Sequence, residues 1–180
     1  KVSKKQKNNF DKIFSVKDNG SLKFLNSLRI NKLNSDILDK KILENINLEI
    51  LKGSKIALIG SSGSGKTTLL NHISQLYEIP NNTILIDDID IHSKKKEWQN
   101  LVSYMSQENY LINGSIIENI ALGVEKDEIN TKNLEIAIEI SCCNEFLNKL
   151  PNGKNTMLGK DGFKLSGGQM QRVCIARSLY

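Results

Sequence analysis

Residues 60–67 read Gly-Ser-Ser-Gly-Ser-Gly-Lys-Thr, and no other feature limits the fold of this chain as strongly. The apolar run of residues 55–59 precedes the loop and reads as a central strand covered on both faces. After it, Leu69, Leu70, Ile73, Leu76 and Tyr77 fall on one helical face, and Pro80 is placed to end that helix. Strand, glycine-rich turn and helix in this order form a cradle for an anion. The glycines let successive N–H groups converge, and the helix adds its positive end. A flexible linker would meet the glycine and serine content but would need no Lys-Thr at its end. Lys66 can reach terminal phosphates as a point charge, and the Thr67 hydroxyl can coordinate Mg²⁺ beside them. The candidate phosphate-binding set is therefore Gly60, Ser61, Ser62, Gly63, Ser64, Gly65, Lys66 and Thr67, with Thr68 in the same helical turn.

Charge argues against nucleic acid as the partner. The chain of 180 residues carries a formal +5, but residues 1–12 hold five Lys and one Asp, so only +1 remains for residues 13–180. Duplex binding needs a basic face on the folded body. Residues 1–20 are expected to be a basic linker or tail, with attraction to a membrane surface as a lesser role. No apolar stretch reaches the roughly 18 residues that would span a bilayer, and the charged start does not resemble a secretory signal. A soluble, cytosol-facing piece is expected. Cys142, Cys143 and Cys174 have neither the number nor the spacing of a disulfide framework or zinc site, and read as core thiols.

Around the loop, the chain divides into a β-rich lobe, an α/β core and a helical insertion. Leu22, Phe24, Leu28 and Ile30 suggest one half-buried strand, residues 31–41 a polar loop, and Ile46, Leu48 and Ile50 a second strand. Further strands are expected in residues 83–91 and 101–105. From Gly114 to about Leu150 the period is helical, with Leu134, Ala137, Ile138, Ser141 and Cys142 on one face.

Residues 165–169 read Leu-Ser-Gly-Gly-Gln. Ser166 with Gln169 three residues on is a capping-box pattern, and Gly167 and Gly168 leave the first-turn N–H groups unobstructed. This gives a second anion-binding helix end in the same chain. With both motifs present, the sequence from about residue 20 to 180 resembles the ATP-binding cassette (ABC) family, as does the continuation Gln171-Arg172 and Ile175-Ala176-Arg177. The resemblance implies an α/β phosphate-loop NTPase core with an antiparallel β lobe and a helical signature lobe at about 109–172. It also implies ATP and Mg²⁺ as cofactors. Lys66 and Gln107 would act at the reacting phosphate, Thr67 and Gln107 at the metal, and Ser166, Gly167, Gly168 and Gln169 at the nucleotide of a partner subunit.

Residues 110–120 look like the exporter branch, in which this segment faces the coupling helices of a membrane domain, and residues 157–162 hold the place of the exporter cross-contact loop. The implied protein is an ATP-driven export motor on the cytoplasmic face of the cell (inner) membrane. It would pair head-to-tail with a second nucleotide-binding domain and be fused N-terminally to a transmembrane domain. A soluble ABC ATPase acting on DNA or ribosomes is the alternative. The 58 residues between Gln107 and Ser166 leave no room for the long coiled coils of the repair members. A phosphate-loop kinase would leave the second motif unused.

Three further expectations follow. Asp87, after the apolar residues 83–86, mimics a metal-holding acid but reads as a turn residue. No Phe, Tyr or Trp occurs between Phe24 and Tyr77, so the aromatic platform on which the family stacks adenine has no counterpart there, and His72 is no substitute. The family's Asp-Glu pair and switch histidine follow the signature helix, beyond residue 180. Residues 1–180 made alone are therefore expected to be aggregation-prone and without turnover, since loss of a general base typically costs 10²–10⁴-fold.

Overall fold

The computed structural model describes residues 22–160 and 162–180, and the chain divides into two compact units between Val102 and Ser103. The basic tail of residues 1–20 lies outside the described residues.

In the unit before Ser103, β1 (Ser27–Ile37) and β2 (Lys40–Leu51) form a long antiparallel hairpin. The sheet continues with β3 (Ile84–Ile86) and β4 (Ile89–Asp90), giving the antiparallel order β2-β1-β3-β4. Alternation puts Leu28, Ile30 and Leu33 of β1 with Ile84 and Ile86 of β3 on one buried face. Burying each such side chain fully is worth about 1.5–3 kcal/mol. Helix α1 (Lys66–Ile73) adds Leu69 to this core, and α2 (Lys95–Gln99) adds Trp98, whose indole N–H donates to Ile73 O at 2.6 Å.

Residues 31–41 are strand and turn, not the polar loop their composition suggests. Lys32 and Asn45 take left-handed backbone conformations at irregularities of the ladder. There Asn47 Oδ1 accepts from Lys32 N at 3.0 Å, and Asn34 Oδ1 accepts from Asn45 N at 2.8 Å. Asparagine side chains thus replace missing ladder bonds, so a polar sequence still makes a strand. At the tip Leu38 and Asp39 both have positive φ (49° and 59°), as a two-residue turn matched to strand twist requires.

Two expected strands are absent. Residues 54–60 and 102–106 form no ladder, and Ile56, Ile59 and Met105 are exposed. A parallel strand is defined by neighbours on its edges and helices on its faces. Among the described residues no strand is hydrogen-bonded to either segment, so both stay open. Helix α1 also stops at Ile73, well short of Pro80, because Ser74 caps it and Gln75 turns left-handed; Leu70, Leu76 and Tyr77 are exposed.

The hairpin at Asp87 and Asp88 is closed by two left-handed residues (φ 47° and 70°). The Asp87 carboxylate accepts from the N–H groups of Leu25, Asn26 (2.7 Å) and Ser27 (2.9 Å), pinning the chain as it enters β1. Burial works against its charge, but these hydrogen bonds prevail and hold the carboxyl below the usual carboxylate range. A depressed carboxyl stabilises the fold above its unfolded pKa of about 4, and that contribution is lost as pH falls through the folded value. Asp87→Ala is expected to cost about 0.5–1.5 kcal/mol at pH 7, since water at this exposed turn replaces part of the lost bonding, and to flatten the acid limb of the stability curve below about pH 4. Denaturant melts from pH 7 down to pH 2 check this, and parallel curves for the two proteins would exclude the capping role.

In the second unit, β5 (Gly114–Ser115) pairs antiparallel with β6 (Met157–Leu158). Helices α3 (Ile116–Ile120), α4 (Thr131–Ile140), α5 (Asn144–Leu147) and α6 (Gly167–Leu179) enclose Ile116, Ile120, Leu134, Ala137, Phe146, Val173 and Ala176. Leu134, Ala137 and Ile138 are buried on α4 as their spacing suggests. Ser141 and Cys142 lie beyond its end, with Cys142 left-handed. Helix α3 starts at a Ser115–Glu118 capping box. The Ser115 N–H, with Lys126 beside it, draws the Glu118 carboxyl down to about 2.

Candidate functional site

The phosphate loop lies in the first unit. Gly63 and Gly65 have φ of +81° and +85°, which L side chains rarely adopt. A Cβ on Gly65 would also meet Leu43 Cδ2 at 2.8 Å and Ile42 O at 3.1 Å, and one on Gly60 would meet Ser64 Oγ at 2.7 Å. The loop is therefore built around its glycines, with β2 pressed against its base. Lys66 Nζ donates to Gly60 O at 2.9 Å, Ser61 O at 2.7 Å and Ser64 Oγ at 3.3 Å, which closes residues 60–66 into a ring. Helix α1 begins at Lys66 with Gly65 as a cap that offers no side chain, and its first turn holds no acid. The leading N–H groups of α1 therefore have no competing acceptor. Ser61, Ser62 and Thr67 are exposed. N–H groups, an ammonium and an open hydroxyl form a donor set that suits phosphate oxygens and a hard cation.

In the second unit Ser166 caps α6. Its Oγ accepts from Gln169 N at 3.3 Å, and Gln169 Oε1 accepts from Ser166 N at 2.9 Å, so both halves of the capping box are made. A Cβ on Gly167 or Gly168 would meet nothing within 4 Å, and both residues are exposed. This helix end is thus open to an approaching surface. Gln107 is exposed in a bend, without the strand expected before it. The structure brings Lys66 onto the loop and Gln169 onto Ser166; Gln107 does not join the Ser166 group of its own unit. Asp87 is committed to the β1 turn by three N–H groups, the arrangement of a turn residue. His72 is buried on α1, edge-on to Tyr77 at 5.4 Å, and burial lowers its pKa, so it cannot stack a base.

Sequence reasoning named Arg177 but not its partners, and it passed over Asn119. Asn119 is fully buried. Its one available signal is position, because it shares the buried face of α3 with Ile116 and Ile120, where a polar residue needs partners. Beside these residues an apolar cavity of about 430 Å³ is lined by Tyr110, Leu111, Leu158, Phe163, Leu165 and Met170. Gly159 lies against Asn113, whose Oδ1 accepts from Lys160 N at 3.1 Å, which fixes residues 157–160 beside this cavity. Asp161, the acid of that loop, is outside the described residues.

The family model described as ABC transporter matches residues 43–180, which include both the loop and the capped helix end. This chain belongs to the ABC transporter family. ATP binding follows from membership. The ABC chain is 42% identical over 140 residues to ABC transporter B family member 29, chloroplastic, of Arabidopsis thaliana, covering 77% of this chain and 22% of that protein. It is 39% identical over 142 residues to the ATP-dependent lipid A-core flippase of Vibrio parahaemolyticus, covering 78% of this chain and 24% of the relative. A solved structure of a bacterial Atm1-family ABC exporter with ATP bound matches with a TM-score of 0.75 at 31% identity, over 88% of this chain and 28% of that one. The chain thus spans about a quarter of the length of these relatives. The structural match gives it the ABC ATPase domain fold, a mixed α/β fold with the antiparallel sheet and helices described above.

Proposed function

We propose that residues 21–180 are part of the ATP-hydrolysing motor of an ABC exporter, with a helical lobe at 109–172 that carries the signature. The observation that carries this reading is the open, capped helix end at Ser166 in the same chain as a glycine-built phosphate loop. Two open helix ends in one chain call for a reason for the second. A head-to-tail pair of domains supplies that reason, with Ser166, Gly167, Gly168 and Gln169 of one copy serving ATP held by residues 60–68 of the other. Lys66 would neutralise the terminal phosphates, and Thr67 and Gln107 would hold Mg²⁺, which supplies charge stabilisation at the transferred phosphoryl group.

The apolar cavity at Tyr110 and Phe163 supports a docked transmembrane partner, because exposed apolar linings mark interaction sites. An N-terminal fusion to that partner, with the motor on the cytoplasmic face of the membrane, fits relatives named as a flippase and an exporter. The near-neutral body disfavours the nucleic-acid alternative.

Full-length protein in lipid vesicles is expected to hydrolyse ATP. Without an aromatic platform, GTP should be turned over within about tenfold of ATP, since stacking is worth about 1–3 kcal/mol and one decade is 1.4 kcal/mol. No turnover of either nucleotide would end the motor assignment. A hundredfold preference for ATP would point instead to a base contact made by another residue.

A further inference from the structure

Arg177 ties the signature helix to the cavity segment. Its Nε donates to Asn119 O at 2.7 Å, its Nη2 to Asn119 Oδ1 at 3.2 Å, and its Nη1 to Tyr110 O at 2.9 Å. One guanidinium therefore holds both ends of residues 110–119. Asn119 completes the fastening from inside. Its Oδ1 also accepts from Ile112 N at 2.8 Å, while its Nδ2 donates to Ile112 O at 3.1 Å and Ser115 O at 3.0 Å. The segment is left with little freedom to move apart from α6, because Asn119 is fully buried and its bonds to Ile112, Ser115 and Arg177 are at least half-buried, where a broken bond leaves an unpaired polar atom; only the bond to Tyr110 O faces water. Ser166 caps the same helix eleven residues before Arg177, a distance of about 16 Å along a continuous helix.

We propose that Arg177 and Asn119 are positioning residues that make the cavity segment 110–119 and the signature helix one rigid body, so that engagement of Ser166 by nucleotide is felt at the docking cavity. The proposal rests on the motor reading above. It assigns the transmission to a planar fork that reaches three acceptors. A lysine has the same charge but only a point-like head on a flexible stem, and it cannot hold Tyr110 O and Asn119 together in that geometry.

The test is hydrogen exchange of full-length protein in lipid nanodiscs, with and without MgATP plus vanadate, on peptides covering residues 110–120 and 166–172. In the unsubstituted protein, nucleotide should slow both peptides by about tenfold or more. In Arg177→Lys, slowing at 166–172 should persist within about threefold, while slowing at 110–120 falls below about threefold. A merely structural arginine would change the thermal midpoint and leave this nucleotide-linked difference intact. If both peptides of Arg177→Lys respond as before, the clasp is not the link. If nucleotide fails to slow 166–172 even in the unsubstituted protein, the motor reading falls and takes this proposal with it. Should Arg177→Lys fail to fold, the unsubstituted protein still decides. Without nucleotide, Ile112 and Val173 amides must then open as one unit, with protection within about tenfold of each other; a wider gap overturns the proposal.

Discussion

Lys66→Ala is expected to abolish MgATP binding at micromolar nucleotide. The ammonium is the only cation on the loop, since residues 60–68 contain no other basic side chain. It would face the β- and γ-phosphates in charge-assisted hydrogen bonds, which are about twice as strong as neutral ones. Loss of about 3 kcal/mol corresponds to roughly a hundredfold weaker binding. The structure adds a second contribution. Lys66 Nζ holds the carbonyls of Gly60 and Ser61, so alanine also releases the ring that keeps the loop folded. Lys66→Arg separates the two effects, because it keeps the charge but cannot fit the same compact ring. Equilibrium titration of full-length protein with a fluorescent ATP analogue is the measurement. Unchanged affinity in the alanine variant would remove the phosphate-loop assignment. If arginine restores binding fully, charge alone is sufficient and the ring is incidental.

Legibility in this sequence follows range. The glycine-built loop of residues 60–67 and the Ser166 capping box involve residues only a few positions apart, and their local geometry could be read directly from spacing; the Asp87 turn was legible as a turn, but its bonds to residues 25–27 were not. The hairpin of residues 31–41 could not be read in this way. Its sequence is polar, and its ladder depends on Asn34 and Asn47 bonding across to residues eleven and fifteen positions away. The Arg177 clasp was less visible still, with acceptors 58 and 67 positions upstream. The error over residues 55–59 and 102–105 has a different origin. An apolar run states that a segment prefers cover, not that a neighbour is present to supply it, and the described residues place no strand beside either run. Helix α1 shows the same limit, because apolar spacing continued through Tyr77 while the backbone had already turned at Gln75.

Ser166→Arg should separate nucleotide binding from nucleotide-driven pairing. Within one chain the substitution removes a cap, which costs about 1 kcal/mol of helix stability, and it leaves the loop of residues 60–67 untouched. Affinity of the unpaired domain for ATP should therefore change by less than about threefold, well under the 1.4 kcal/mol of one decade. Pairing should suffer far more. The first turn of α6 is bare, with nothing within 4 Å of a Cβ on Gly167 or Gly168, and a long side chain at its cap would fill the space that the partner's phosphates need. ATP-dependent association of full-length protein is expected to weaken by at least about tenfold. Ser166→Thr, which keeps the capping oxygen, should retain more of it. Mixing subunits sharpens the test. A pair made of one Lys66→Ala and one Ser166→Arg subunit has both lesions in one shared site and none in the other, so it should keep one of two composite sites. A pair carrying both substitutions in every subunit should keep neither. Occupancy counted by trapped nucleotide distinguishes the two cases. If Ser166→Arg destroys binding in the unpaired domain, the two helix ends serve one site within one chain, and the head-to-tail arrangement is wrong.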